Sequence, residues 1–281
     1  MPPLPHPTSI NSGAVRPAVH GFAAAVVAGA LDDALAHGAR VYAIGGLQGS
    51  GKSTLAAQLA ALARTRGLQV ATLSLDDVYL GRRERRRLAR DVHPLLSTRG
   101  PPGTHEIALA LDTLDALRAG AAVRLPRFDK LADRRLPPSR WPTCRTADLV
   151  LFDGWCLKVP PETEAALARP LNALERDEDP DGAWRRWCND ALGRDYPALW
   201  SRLDRLLWLQ PPGFEPVLRW RREQERRAKA LQSSRTATGM TPAAIARFVQ
   251  HFERVGRQAL RTLPRIAERS LALDARRRVV G

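Results

Sequence analysis

The chain has 281 residues, 44% of them hydrophobic, and a formal charge of +15, enough to bury a full core and basic enough to favour anionic ligands. Cys144, Cys156 and Cys188 form no CxxC pair and are odd in number, which points away from a disulfide framework or a zinc ribbon and towards a reducing cytoplasm. The arginines are scattered and not interleaved with aromatics, so the charge does not describe a nucleic-acid stacking platform.

Residues 1–15 are proline-rich, carry no basic n-region and read as a flexible arm. The apolar run "FAAAVVAGAL" is too short to span a bilayer and is followed by Asp32 and Asp33, so no membrane association is expected. Residues 16–281 are expected to form one domain. Short β-type runs alternate with longer helical patterns: "RVYAIGG" before "KSTLAAQLAALARTRG", "QVATLSL" before a basic helical stretch, and "ADLVLF" before further helices. Later come "LDRLLWLQ", the charged helix "FEPVLRWRREQERRAKAL", a helix over about 242–260 and a last strand, "RSLALD". This alternation predicts an α/β fold with a parallel sheet sandwiched by helices, and the strand "QVATLSL" is expected beside the first one. Two segments rich in Pro, Gly and charge, about 94–105 and 125–142, read as functional insertions, and the acidic "ERDEDPDG" as a solvated loop.

Between "VYAI" and the first amphipathic helix lies "GGLQGSGKST", which holds Gly46, Gly49, Ser50, Gly51, Lys52, Ser53 and Thr54 in the P-loop pattern. Strand, glycine loop and helix N-terminus in that order aim backbone N–H groups at a phosphate, with Lys52 as a point charge and Ser53 as a hydroxyl for Mg²⁺. ATP or GTP is the expected ligand. Asp153, after four apolar residues in "LVLFDGW", stands where a carboxylate would hold the hydrated metal. Asp76 and Asp77 follow the strand "QVATLSL"; Asp76 is the expected base towards an alcohol, with Asp77 second and the other of the pair a helix cap.

"GGLQGSGKST", "SLDDVYL", "RGPPGTHE", "LPRFDK" followed by "DR", "WP", "LFDGW" and "LRWRREQE" occur in an order and spacing that resemble the D-glycerate 3-kinase family, itself similar to uridine kinase, phosphoribulokinase and bacterial pantothenate kinase. The resemblance runs from about Val41 to the C-terminal strand. It implies a P-loop nucleoside triphosphate hydrolase fold and Mg²⁺-dependent transfer of phosphate from ATP to the 3-hydroxyl of D-glycerate. Matched to the family's loops, Arg99, His105, Asp129, Lys130 and Arg134, together with Asp77, are the expected substrate contacts. Arg219 and Arg221 are expected on a helical lid, about 214–232, that closes over the phosphates. The chain departs from the family at Asp153, where many members carry Glu, at Leu47 for a common proline, and at Ala132 for the glycine before Asp133.

Thr104 could form part of a capping box for the helix starting near Glu106. In "RRERRRLAR", Arg82, Arg83, Arg86, Arg87 and Arg90 fall near one side of a helix and are expected to be a solvated face. Two other readings stay open: a kinase for another small alcohol, such as a nucleoside, pantothenate or a sugar phosphate, and an ATP-switched protein that binds nucleic acid.

Overall fold

The structure, a computed structural model, describes residues 21–231 and 240–280. The expected arm, 1–15, lies outside the described residues, as does residue 232 at the end of the expected lid.

The strands are β1 (Val41–Gly46), β2 (Val70–Ser74), β3 (Val123–Arg124), β4 (Phe128–Asp129), β5 (Arg134–Arg135), β6 (Thr143–Cys144), β7 (Leu149–Gly154), β8 (Arg205–Gln210) and β9 (Arg269–Ala272). The helices are α1 (Ala24–Ala36), α2 (Lys52–Thr65), α3 (Arg82–Asp91), α4 (Ile107–Arg118), α5 (Glu164–Leu167), α6 (Ala173–Glu178), α7 (Ala183–Arg194), α8 (Pro197–Trp200), α9 (Pro216–Leu231) and α10 (Pro242–Ile266). Five strands form one parallel sheet in the order β2-β7-β1-β8-β9. The expected α/β sandwich is what forms.

Alternation along the strands divides the core into two layers. Tyr42, Ile44, Leu149, Leu151, Leu207 and Leu209 meet the apolar stripes of α1 and α2, among them Leu31, Leu55 and Leu59. Val41, Ala43, Val150, Phe152, Leu206 and Trp208 meet α4 and the helices of the second half, through Leu114, Val217, Trp220 and Leu263. Every residue of β1 and β7 is buried, as a sheet covered on both faces requires. Each fully buried leucine contributes roughly 1.5–3 kcal/mol of transfer free energy.

Several expectations are corrected. The strand "QVATLSL" is not beside β1: β7 lies between β1 and β2, pairing Asp153 with Ile44 on one side and with Ser74 on the other. The last helix runs to Ile266, well beyond 260. Thr104 does not cap α4; its hydroxyl accepts from Gly100 N and donates to Pro101 O, closing a turn within the loop. In α3 the solvated face forms as expected, but Arg85 points inwards and is buried.

The acidic "ERDEDPDG" is not a solvated loop. Its first four residues are the end of α6, and both Glu175 and Asp179 are fully buried. Glu175 receives both Nε and Nη2 of the buried Arg254, at 2.8 and 2.6 Å. Asp179 accepts from the backbone of Trp184 and Arg185 and from the Arg185 guanidinium. Charged residues reach the interior here because each finds a fixed opposite charge. Removal of one partner leaves the other buried and undercompensated. Glu175→Ala is therefore expected to lower stability by about 3 kcal/mol in urea unfolding, with the slope unchanged; a midpoint within error of wild type would mean that water enters and solvates Arg254.

Candidate active site

β1 ends at Gly46 and α2 begins at Lys52, so the glycine loop sits at the carboxyl edge of the sheet, where open α/β sheets hold their ligands. Gly49 and Gly51 have φ of +79° and +104°, values that side-chain-bearing residues adopt only with strain. A Cβ at Gly49 would lie 2.6 Å from Cβ of Trp220, and one at Gly46 would lie 2.6 Å from Ser50 Oγ. The glycines thus allow α9 to seat against the loop and the loop to close on itself.

Lys52 folds across this loop and donates from Nζ to Leu47 O at 3.0 Å. No carboxylate of the described residues lies within salt-bridge distance of it, and burial pushes its pKa down against the opposing pull of Asp153 and Asp76. The hydroxyl of Ser50 and both polar atoms of the Gln48 side chain are buried without a protein partner. A lysine with no counter-ion, a helix N-terminus and orphaned polar groups together suit a polyanion such as a nucleotide phosphate chain. Ser53 donates to Asp153 Oδ2 at 2.8 Å, and burial raises the pKa of Asp153 while Lys52 opposes the rise. This hydroxyl and carboxylate are hard oxygen donors, the set Mg²⁺ takes. Thr54 follows in the first turn of α2.

Asp76 sits in a 3₁₀ turn, Leu75–Val78, directly after β2. Its Oδ2 accepts from Lys130 Nζ and its Oδ1 from the Tyr79 hydroxyl, both at 2.5 Å. Burial alone would raise its pKa; the charge of Lys130, the two hydrogen bonds and Lys52 outweigh that and bring it to about 2. Tyr79 is buried edge-on against Phe128, with ring centroids 5.2 Å apart, and stacks at a tilt on His105 at 5.0 Å. The His105 Nδ1 pairs with the Tyr196 hydroxyl at 2.6 Å, and burial lowers its pKa to about 4, so the ring is neutral at pH 7. His105 Nε2 has no protein partner.

Arg99 donates to Asp133 Oδ1 at 2.7 Å, with its guanidinium 5.7 Å from the Phe128 ring centre. Arg221 lies over Phe248 at 5.3 Å and pairs with Glu225; burial lowers its pKa, and Arg99, Tyr79 and Asp76 are close enough to contribute. Asp76, Lys130, Arg99 and Arg221 therefore form one charged group near Lys52.

Four expected contacts lie differently. Asp77 is the capping member of its pair: its carboxylate accepts from Ser74 N at 3.0 Å and meets Arg127 at 3.3 Å. Asp129 ties a tight turn by accepting from Leu131 N and Ala132 N. Arg134 is exposed on β5. Arg219 donates to the carbonyl of Ala275, away from Arg221.

Asp133, Arg85 and Tyr79 were not expected here. Asp133, at φ +51°, collects Arg82 and Arg85 of α3 and Arg99 of the following loop. Arg85 also donates to Leu80 O and Ser97 O. The available signals were slight: Asp133 stands in the quoted "DR" element, and Arg85 falls off the solvated face of the arginine run.

No family model matches the chain. Over 223 residues, 75% of this chain and 78% of the relative, it is 32% identical to the "Uncharacterized kinase mug58" of Schizosaccharomyces pombe. Over 194 residues it is 30% identical to the chloroplastic D-glycerate 3-kinase of Arabidopsis thaliana, of whose length it spans 39%. A solved D-glycerate 3-kinase from Cryptococcus neoformans superposes with a TM-score of 0.73 at 25% identity, covering 92% of this chain and 99% of the other. The chain belongs to the D-glycerate 3-kinase family of P-loop kinases. The kinase fold extends to a protein titled YGR205w, with a TM-score of 0.63 at 21% identity over 86% of this chain and 88% of that one. Among the described residues of this kinase, no helix is long and apolar enough to cross a membrane.

The cluster around Asp76 makes a pH statement. Its lowered pKa contributes stability that is present above the ordinary 3.8 and lost as pH falls through about 2. With Lys130→Met, the largest offset to burial is removed, and the Asp76 carboxyl is expected to titrate at higher pH by carbon-detected NMR; an unmoved titration would assign the depression to Tyr79 and Lys52 instead.

Proposed function

We propose that this kinase transfers the γ-phosphoryl group of ATP to the 3-hydroxyl of D-glycerate, yielding 3-phosphoglycerate and ADP, and that residues 16–281 carry both sites in one domain. The observation that carries this reading is the placing of one ionised carboxylate, Asp76, between Lys130 and Tyr79, with Arg99 and Arg221 beside it and the lysine of the phosphate cradle in electrostatic reach. A small acid alcohol needs this combination: a cation for its carboxylate and a carboxylate for its hydroxyl. The family membership supports the same substrate, since two of the relatives are D-glycerate 3-kinases.

In this reading the amides of Gly49 and of Gly51 to Thr54, with the Lys52 ammonium, hold the β- and γ-phosphates. Ser53 and Asp153 would hold Mg²⁺, which neutralises phosphate charge when bound. Arg99 orients the substrate carboxylate, and its own position is set by Asp133. The glycerate oxygen forms a bond to phosphorus as the bond to the bridging oxygen of ADP breaks, and the hydroxyl proton leaves towards Asp76. A group that titrates near 2 is a weak base, so Asp76 acts first by aligning the hydroxyl and takes the proton late, as suits a loose transition state. Arg221 meets the charge that spreads over the transferring group.

The two other readings find less support. Phe128 is buried, near-perpendicular to Tyr79 and with the Arg99 guanidinium over its ring, so it is not an exposed platform for a nucleoside base. The arginines of α3 form a solvated face without interleaved aromatics.

The purified protein with Mg-ATP is expected to release ADP on addition of D-glycerate, but not of L-glycerate, uridine, pantothenate, ribulose 5-phosphate or DNA, with phosphorus NMR reporting the 3-phosphate. Stimulation by a different alcohol would keep the cradle and overturn the acceptor assignment. Asp76→Asn is expected to leave ATP affinity nearly intact and to lower kcat by roughly 10²–10⁴-fold; an unchanged kcat would remove Asp76 from the reaction.

A further inference from the structure

The stretch after β9, "LDARRRVV", has no place in the reading so far. Its backbone forms a tight turn: Arg277 N donates to Asp274 O, Asp274 N to Arg278 O, and the Asp274 carboxylate accepts from Arg276 N and Arg278 N. Leu273 and Val279 face each other as an antiparallel bridge that closes the turn. At its tip, Arg277 adopts φ +67°, a left-handed conformation that costs an arginine of order 1–3 kcal/mol and persists only where contacts impose it.

Those contacts lead to the phosphate cradle. Arg277 Nε donates to Gly49 O at 2.6 Å, Nη2 pairs with Glu223 of α9 at 2.6 Å, and the guanidinium lies 5.2 Å from the ring centre of Trp220. Trp220 Nε1 in turn donates to Ala275 O of the same turn at 3.0 Å. One guanidinium thus joins three elements: the glycine loop, α9 and the C-terminal turn.

The peptide between Gly49 and Ser50 is the one at stake. Glycine at 49 makes rotation of that peptide cheap, and a rotated carbonyl would turn its partial negative charge towards bound phosphate. Two hydrogen bonds oppose rotation: Ser50 N donates to Leu47 O at 3.1 Å, and Gly49 O accepts from Arg277. The second is the stronger because its donor is charged.

We propose that Arg277 is a positioning residue for the nucleotide site: it holds the Gly49–Ser50 peptide in the orientation that admits phosphate and ties that peptide to Glu223 on α9. The inference rests on the nucleotide half of the proposed function and is independent of the acceptor.

Arg277→Met keeps the aliphatic stem over Trp220 and removes both polar contacts; Arg277→Lys can restore one of them. Binding of a non-hydrolysable ATP analogue, measured by calorimetry, is expected to weaken about tenfold in Arg277→Met and by less in Arg277→Lys. The unfolding midpoint without nucleotide should shift by no more than about 2 °C. The KM for D-glycerate at saturating ATP should stay at the wild-type value. Glu223→Gln should weaken analogue binding less, and its effect should not add fully to that of Arg277→Met, because the two share one contact. Wild-type analogue affinity in a folded Arg277→Met would overturn the inference, and so would equal losses for the analogue and for D-glycerate, which would indicate general loosening. A wild-type chain that binds no analogue would overturn the nucleotide reading itself, and this inference with it.

Discussion

The hydrogen bond from Ser53 to Asp153 is the contact on which the arrangement of the site depends, because it joins the first turn of α2 to the end of β7. β7 is the strand shared between β1, which leads into the cradle, and β2, which leads into Asp76. The register that sets Asp153 opposite both Ile44 and Ser74 brings the glycine loop, Asp153 and Asp76 to one edge of the sheet. The two buried layers on either face hold that register, since a slip by one residue would exchange Tyr42 and Ile44 for Val41 and Ala43 between unlike neighbours.

Many of the arginines stand in ion pairs, although the excess of cations over carboxylates leaves the rest without one. Buried arginines such as Arg254 and Arg185 each meet a carboxylate that is itself buried. Around Asp76 the balance differs: Lys52 has no carboxylate in salt-bridge reach among the described residues, and Arg221 has a lowered pKa through burial. A cation kept desolvated and without a paired carboxylate, as Lys52 is, costs free energy in the free protein and favours an anion placed beside it, which is the physical sense of a preorganised site.

The parts of the fold and site that could be read from the sequence are the ones encoded locally. The alternation of strands and helices, the glycine loop after "VYAI", and the carboxylates ending β2 and β7 are each written in fewer than twenty consecutive residues. Strand order is not: nothing local says that β7 enters between β1 and β2. Burial of charge was equally illegible, since "ERDEDPDG" has the composition of a loop and only Arg254, 79 residues away, makes Glu175 a core residue. The spacing of the arginine run sets Arg85 apart from the solvated face, but nothing local names Asp133, 48 residues away, as its partner. Arg219 and Arg221 are two positions apart and so point to different sides of α9, one to Ala275 and the other towards Phe248.

Asp133 has one more consequence. It draws together Arg82 and Arg85 of the helix α3, Arg99 of the loop that follows it, and the connection between the paired strands β4 and β5 in which it stands. Segments that share a single ionic hub cannot loosen separately without leaving a charge unpaired, which couples their local opening to one another. The geometry of 97–105 and that of 128–135 are thereby set together, by one carboxylate, rather than each by its own loop.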